Sequence, residues 1–336
     1  MHLDEKKINK LFFYWINISL ILVFFIIIVG GLTRLTNSGL SITEWELLKG
    51  ILPPLNNSSW QFYFNEYKKI PQYKLLNYDM NLDQFKIIFY WEYAHRLIAR
   101  LIGLVAIIPL ILILLKYKKK FKENLKYFSL FALVCVQGFL GWFMVKSGLI
   151  NNTDVSHYRL ASHLSVALIV LSLTFWFLLD NYKTEKFLIK INQNFLRLFF
   201  IIIFTQIILG AFLAGLNGGL VYNSWPDMNG KFFPDDIKNS DLYRSDSLSN
   251  PSIIQFYHRI AAYILLIFLL VLNYIFFKKK IISKSIIFLN IAVFFQIILG
   301  IMTLITGVKI YYASLHQLGS VFVLTSFLYI YYKNVN

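Results

Sequence analysis

The sequence predicts an all-α integral membrane protein, with eight transmembrane helices arranged as two parallel-repeat four-helix bundles. Three observations support this architecture. Of the 336 residues, 57% are apolar and 18% are aromatic, which is unlike the composition of a soluble domain. Long uncharged runs recur along the chain. Motifs of the first half also reappear, in the same order, in the second half.

The uncharged runs define the eight helices. Seven of them are 18 to 29 residues long, and an α-helix needs roughly 20 residues to cross the hydrocarbon layer. The run at 101–115 is shorter, so we expect its helix to begin near Glu92 and to carry Glu92, His95, Arg96 and Arg100 at its entrance. In chain order the runs are 11–33, 101–115, 127–145, 160–179, 198–226, 260–277, 285–308 and 310–332.

The distribution of basic residues predicts the orientation of these helices. The net charge is +16, and lysines cluster in the N-terminal tail and in every second loop, at 116–126, 183–197 and 278–284. Short loops rich in lysine and arginine stay on the cytoplasmic side. Both termini are therefore predicted to be cytoplasmic, and topology explains the basic charge without a nucleic-acid partner.

Cysteine usage and the N-terminus exclude two further interpretations. The single cysteine, Cys135, lies inside the third predicted helix, so the chain can form neither an internal disulfide nor a thiolate metal cluster. The first apolar run is longer than a signal-peptide core and lacks a small-residue cleavage site after it. We expect that run to be the first transmembrane helix.

Ordered motif matches indicate an internal repeat. The matching pairs are Gly30 and Gly210, Gly39 and Gly219, Leu40 and Leu220, Trp45 and Trp225, His95-Arg96 and His258-Arg259, and His163 and His316. A further motif, Gln-x-x-Leu-Gly, begins at Gln137 and at Gln296. Its third copy begins at Gln206, and either chance or a shared packing device would explain that copy.

The repeat predicts two halves with the same orientation, because each half contains an even number of helices. The N-terminal bundle covers 1–190 and includes a long outer loop at 35–90. The C-terminal bundle covers 191–336 and includes an outer loop at 217–255. Segments near 58–69 and 81–91 mix aromatic and charged residues, and we leave open whether they are short surface helices or an interfacial aromatic belt.

Four histidines recur in two matched pairs, His95 with His163 and His258 with His316. All four are expected in the first turns of even-numbered helices, near the outer face. Ionisable residues in a membrane usually face the bundle interior and have a function. Paired imidazoles are axial ligands of haem iron, so we predict two metal or haem sites, with hydrogen-bonded structural histidines as the alternative. His157 and His2 lack repeat partners and are not predicted to be ligands.

Four arginines accompany these pairs: Arg34, Arg96, Arg100 and Arg259. A guanidinium binds a carboxylate through two parallel hydrogen bonds, which makes each of them a candidate ligand for a haem propionate. Snorkelling towards the membrane surface is the alternative for each.

Glu92 breaks the symmetry of the repeat. It lies three residues before His95, on the same helical face, whereas Gln255 precedes His258 at the matching position. A carboxylate can accept a proton and an amide cannot. We therefore predict proton chemistry at the first site, with Glu92 as the catalytic residue, and electron transfer alone at the second. The alternative is a surface glutamate favoured at a helix start.

Several stretches together resemble the haem A synthase family. They are Gly30-Gly-Leu-Thr-Arg-Leu-Thr-Asn-Ser-Gly-Leu-Ser41 with Glu44-Trp45, Glu92-Tyr-Ala-His-Arg96, Tyr158-Arg-Leu-Ala-Ser-His163, Tyr257-His-Arg-Ile-Ala261 and Leu315-His-Gln317. The resemblance covers essentially the whole chain. Some bacterial members carry a cysteine pair in the first outer loop. This chain lacks that pair and resembles the proteobacterial and mitochondrial branch.

The resemblance implies an oxidoreductase of the bacterial inner membrane that converts haem O to haem A for cytochrome oxidase assembly. It implies that His258 and His316 ligate a resident haem B cofactor, that His95 and His163 hold the substrate haem, and that Glu92 is catalytically essential. Haem O synthase and an electron acceptor are the implied partners, and glycine-rich helices permit a homo-oligomer. A di-haem electron-transfer cytochrome is the alternative, and a transporter with histidine proton relays is a third reading.

Overall fold

The computed structural model describes residues 5–46, 49–116, 125–151, 153–182 and 184–335. The predicted cytoplasmic loop after the second transmembrane helix lies mostly outside the described residues, as does His2. Within the described part the chain is helical, and its only paired extended residues form an isolated bridge between Met228 and Lys231.

Eight helices of the described part are long and apolar enough to span a membrane, which confirms the predicted all-α architecture. They are α1 (Glu5–Leu35), α4 (Leu82–Lys116), α5 (Leu125–Asn151), α6 (His157–Asn181), α7 (Gln193–Gly215), α8 (Pro251–Lys278), α9 (Lys284–Ile305) and α10 (Ile310–Asn334). Two short helices, α2 (Asn57–Tyr67) and α3 (Pro71–Leu76), lie in the first long loop.

Polar caps define where several helices begin. An asparagine or serine side chain just before the helix accepts backbone N–H groups of the first turn, which have no partner inside the helix. Asn250 does this for α8, where Pro251 occupies the first helical position. The same arrangement is found at Asn56 before α2, Asn192 before α7 and Ser283 before α9.

Helix α4 begins earlier than predicted. Its first residue is Leu82, so the start expected near Glu92 is wrong, and His95 lies several turns into the helix. The segment near 81–91 is the outer part of α4 and not a separate surface helix, whereas the segment near 58–69 is largely α2. Phe85, Ile88 and Phe89 explain the extension, because these side chains are buried against the outer loop.

An apolar cluster joins this part of α4 to α2 and the preceding loop. Tyr67 and Phe85 are fully buried in it, with ring centroids 5.2 Å apart. Trp60 contacts Phe89 edge to face at 5.0 Å. Such aromatic contacts add to the free energy gained by burial. The cluster therefore holds the first outer loop as a folded cap on α4.

Replacing Phe85 by alanine is expected to destabilise this cap by about 3–5 kcal/mol, because the substitution leaves a cavity in a packed core. The matched control is Ile87→Ala on the same helix, where the side chain is 62% exposed. Thermal unfolding of the detergent-solubilised protein measures both effects. Equal unfolding midpoints for the two variants would contradict the packing role of Phe85.

The chain divides into two compact units, with the division between Thr174 and Phe175 inside α6. This point precedes the predicted boundary between residues 190 and 191. In the first unit α1 packs against α4 and α4 against α5, and in the second α7 packs against α8 and α10, and α9 against α10.

Helices α1 and α7 end in the same way, as the repeat predicts. Each is followed by an asparagine with a positive φ, 51° at Asn37 and 52° at Asn217. Asparagine adopts this left-handed conformation more readily than most residues, so it suits the end of a helix. The two residues are related by the same offset as Gly30 and Gly210.

Candidate functional site

Two histidine pairs have nearly the same geometry. In the first unit, His95 on α4 and His163 on α6 have ring centroids 6.4 Å apart and ring planes at 75°. In the second unit, His258 on α8 and His316 on α10 have centroids 6.4 Å apart and planes at 80°. The structure thus brings together the histidines that the sequence paired.

The separation within each pair fits two axial ligands of one iron. An imidazole nitrogen binds a metal at about 2 Å, so two nitrogens on opposite sides of the metal are about 4 Å apart. Adding about 1.2 Å from each nitrogen to its ring centre gives about 6.4 Å between centroids. Haem supplies four nitrogens from the porphyrin, and the protein needs to add only two ligands.

The set of donors also favours haem over a bare metal ion. A protein-bound zinc or iron ion usually takes three or four protein ligands. Among the described residues, no group of three or more histidine, cysteine, aspartate or glutamate side chains could hold a metal. Each pair therefore suits a group that brings most of its own coordination.

Each histidine ring lies against a glycine of another helix. A Cβ atom on Gly141 would be 3.0 Å from Cε1 of His163, and one on Gly300 would be 2.8 Å from Cε1 of His316. Gly210 faces His258 in the same way, and Gly30 faces His95. The repeated glycines of the sequence thus provide room for the imidazoles.

Replacing Gly141 by alanine is expected to displace the His163 ring and to weaken haem retention at the first pair, because the new methyl group would crowd the imidazole. The control is Gly138→Ala on the same helix, where an added Cβ meets no atom within 4 Å. Haem O content after purification measures the effect. Equal content in both variants would contradict it.

Glutamines of the repeated Gln-x-x-Leu-Gly motif approach three of the four histidines. Nε2 of Gln137 is 3.2 Å from Nε2 of His163, and Nε2 of Gln206 is 3.3 Å from Nε2 of His258. The backbone carbonyl of Gln296 is 3.1 Å from Nδ1 of His316. Nδ1 of His163 and Nδ1 of His258 are buried and have no partner in the described part of the chain.

Glu92 is buried, with only 2% of its surface exposed, and its carboxylate is held by four hydrogen bonds. Oε2 accepts from the Ser41 hydroxyl and from the Ile42 backbone N–H, both at 2.8 Å. Oε1 accepts from Nη2 of Arg96 at 2.6 Å and from Nε at 3.0 Å. Glu92 therefore links α4 to the first outer loop, and it is not the surface glutamate of the alternative reading.

The matching position in the second unit has different hydrogen bonds. Nε2 of Gln255 donates to the Tyr222 carbonyl at 2.8 Å. Oε1 of Gln255 and Nε of Arg259 are both buried and have no partner among the residues that the structure describes. The amide thus keeps the contact to the loop but lacks the ion pair that Glu92 makes with Arg96.

Arg96 and Arg259 hold the two outer loops at equivalent points. Arg96 donates to the carbonyls of Ile42 at 2.7 Å and Glu44 at 3.0 Å. Arg259 donates to the carbonyls of Tyr222 at 3.3 Å, Ser224 at 3.0 Å and Asp227 at 2.7 Å. Binding of a propionate by Arg96 would compete with these contacts, whereas Nε of Arg259 is available for it.

Arg34 and Arg100 also contact loops of the first unit. Arg34 donates to Asn37 at 2.8 Å and lies 3.8 Å from Asp154. Arg100 donates to the Glu46 carbonyl at 2.8 Å. Propionate binding by either residue stays a prediction. His157 contacts Tyr158 with ring centroids 4.2 Å apart and ring planes tilted by 39°, and it joins neither histidine pair.

Two tyrosines donate hydrogen bonds within the first outer loop. The Tyr63 hydroxyl donates to Oε2 of Glu46 at 2.6 Å, and the Tyr67 hydroxyl donates to Oε1 of Gln72 at 3.0 Å. Burial, together with Glu46, raises the pKa of Tyr63 to about 12. Burial also raises the pKa of Tyr67 to about 12. Both phenols stay protonated near neutral pH and act there as hydrogen-bond donors.

A cavity of about 490 Å³ lies in the second unit between α9 and α10. Its walls are mostly apolar and include Phe288, Phe295 and Phe322, and no histidine lines it. It is therefore separate from the space between His258 and His316.

Sequence reasoning missed the partners of Glu92 and the role of the glutamines. Ser41 and Ile42 follow the Gly39-Leu40 pair, which the repeat had already marked. From the sequence, either chance or packing explains the third Gln-x-x-Leu-Gly copy, at Gln206, whereas in the structure its amide lies beside His258. The repeat was therefore the signal that could have identified both.

Known proteins are similar to this chain over nearly its whole length. Residues 13–328 match a family model, COX15-CtaA, described as "Cytochrome oxidase assembly protein". The chain is 56% identical to a protein of Pelagibacter ubique (strain HTCC1062) named "Heme A synthase", over the full length of both chains. It is 42% identical to a "Heme A synthase" of Rickettsia felis, covering 95% of this chain and 96% of that one. A Rickettsia bellii protein of the same name is 41% identical over 94% and 96%.

Proposed function

This chain belongs to the COX15-CtaA family of cytochrome oxidase assembly proteins, and we therefore propose that it is a haem A synthase, which oxidises a ring methyl group of haem O to a formyl group. Converting a methyl group and one water molecule to a formyl group releases four electrons and four protons. An electron acceptor outside the chain must take the electrons, and side chains near the methyl group must manage the protons.

We assign the substrate to the first histidine pair. His95 and His163 would hold the iron of haem O from both sides, which fixes the porphyrin and its methyl groups relative to α4. Glu92 lies one helical turn before His95, so it is the carboxylate closest in sequence to that pair. The single observation that carries this assignment is the presence of Glu92 at the first pair and of Gln255 at the second.

Glu92 is proposed as the proton acceptor. Its two oxygens accept four hydrogen bonds, two of them from Arg96, which hold the carboxyl group in a fixed position on α4. A proton released during oxidation of the methyl group would be accepted at Oε1 or Oε2. Gln255, which replaces it at the second pair, cannot take up a proton, so the second pair has no equivalent base.

The second pair suits a resident haem B. Bound between His258 and His316, haem B would supply one-electron transfer. The buried Nε–H of Arg259 has no acceptor in the described residues, and a propionate oxygen would provide one. This observation supports Arg259 as a propionate ligand.

The protein is a multi-pass membrane protein, and we propose that it lies in the bacterial inner membrane with both termini in the cytoplasm. Basic residues in every second loop support that orientation. Haem O synthase, or the lipid bilayer that holds its product, would deliver the substrate.

Co-expression with a source of haem O, followed by chromatography of the extracted haems, tests the function. We expect haem A to appear only when the chain is present, together with about one haem B per chain. Two haems B per chain without haem O or haem A would instead support the di-haem electron-transfer cytochrome. A colourless purified protein would contradict both.

A further inference from the structure

The four histidines differ in what contacts one of their ring nitrogens, which is Nε2 in His163 and His258 and Nδ1 in His316. Gln206 lies beside His258, the Gln296 carbonyl lies beside His316, and Gln137 lies beside His163. The His95 ring makes no hydrogen bond to the residues that the structure describes. Each histidine faces a glycine, but only three of them have a glutamine nearby.

The repeat explains why His95, unlike the other three histidines, has no glutamine nearby. Gln206 lies four residues before Gly210, which faces His258, and Ile26 lies four residues before Gly30, which faces His95. The two positions are therefore equivalent, with an amide in the second unit and an alkyl group in the first. Ile26 offers no hydrogen bond to His95.

A ligating histidine normally donates its other N–H to a nearby acceptor, which fixes the ring and makes it a stronger ligand. The Oε1 atoms of Gln137 and Gln206 are buried and have no partner in the described part. A half-turn of each terminal amide would present that oxygen to the histidine without moving other atoms. Both amides can thus accept from the Nε2–H of these histidines, which leaves Nδ1 of His163 and of His258 as the nitrogen that would bind iron.

We propose that Gln137 and Gln206 are positioning residues for His163 and His258, and that His95 is the one of the four histidines that no hydrogen bond from the described residues positions. Resting on the proposed function, this difference separates the two haems. The resident haem would be bound by two histidines that each have a hydrogen-bond partner, Gln206 or the Gln296 carbonyl. The substrate haem would be bound by His163, which has Gln137 beside it, and by His95, which has no such partner. The first site can therefore release its product and the second keeps its cofactor.

Exchanging the two residues tests the proposal. Gln206→Ile is expected to speed the loss of haem B to excess apomyoglobin by about 10–100-fold, because removing an outer partner of a ligand weakens metal binding by that factor. It should also change the electron paramagnetic resonance spectrum of the low-spin haem. Gln206→Glu retains an acceptor and should restore slow loss.

The reciprocal variant is Ile26→Gln, which should slow the loss of haem O from the first site. Its control is Ile28→Gln, which puts the same amide on another side of α1. The spectrum of haem B in the second site reports in each variant whether the protein is folded.

Unchanged loss and spectrum in Gln206→Ile would overturn the positioning role, and unchanged haem O loss in folded Ile26→Gln would overturn the role of Ile26. These measurements need only bound haem and no turnover. A chain that forms no haem A but shows the expected loss rates would refute the proposed function and leave this inference standing.

Discussion

Replacing Glu92 by glutamine is expected to lower haem A formation at least about 100-fold, while the resident haem B stays bound. Removing a positioned proton acceptor typically lowers a rate by 10²–10⁴-fold. Glutamine nevertheless has nearly the same shape, and Gln255 shows that an amide at this position can still bind the outer loop. The variant therefore separates proton acceptance from support of the loop. Haem extraction after co-expression measures product and cofactor together.

Two further variants sharpen this experiment. Glu92→Ala removes both the proton acceptor and the loop contacts to Ser41 and Ile42. Glu66→Gln is the control, since Glu66 lies on α2 and forms an ion pair with Lys69 of the same loop. If Glu92→Gln makes normal amounts of haem A and Glu92→Ala makes none, Glu92 supports the loop and is not the base.

Removing either ligand of the second pair is expected to eliminate the low-spin haem B spectrum. His258→Ala or His316→Ala leaves at most one axial ligand, and a six-coordinate low-spin iron requires two. Absorption spectroscopy of the purified, reduced protein measures this loss. His95→Ala should keep the haem B spectrum, because His95 belongs to the other unit.

His157→Ala is the matched control for these variants. His157 lies at the start of α6 and joins neither pair, so its replacement should leave the spectrum unchanged. A low-spin spectrum of normal intensity in both His258→Ala and His316→Ala would show that haem B is bound elsewhere.

The sequence predicted the membrane helices and the histidine pairing well, for physical reasons. Hydrocarbon excludes charge, so uncharged runs mark spanning helices directly. The repeat then restricted His95 to a partner in its own half, His163. Both inferences depend on properties that the sequence displays without knowledge of loop conformation.

The start of α4 was missed because this helix extends beyond the apolar run. Asp83 and Lys86 interrupt the uncharged pattern there. They form an ion pair at 2.9 Å on the same stretch of helix that buries Phe85 and Phe89. Hydropathy marks only the part of a helix that lies in lipid. The contacts with α2 that prolong α4 depend on tertiary folding.

The partners of the arginines could not be read from the sequence either. Arg96 and Arg259 bind main-chain carbonyls, and every residue type carries such a group. No side-chain motif in the sequence therefore indicates which carbonyls these arginines bind. The choice between a propionate and a snorkelling position did not include this third possibility.

That mode of contact bears on how freely the two outer loops can vary during evolution. The hydrogen bonds from Arg96 and Arg259 to the outer loops end on peptide oxygens, and such a bond does not depend on the side chain of the residue that accepts it. The exposed position Glu44 should tolerate wide substitution in a mutational scan, provided the backbone path is kept. Arg96 and Arg259 should not, because no other side chain reaches several peptide oxygens with so many donors.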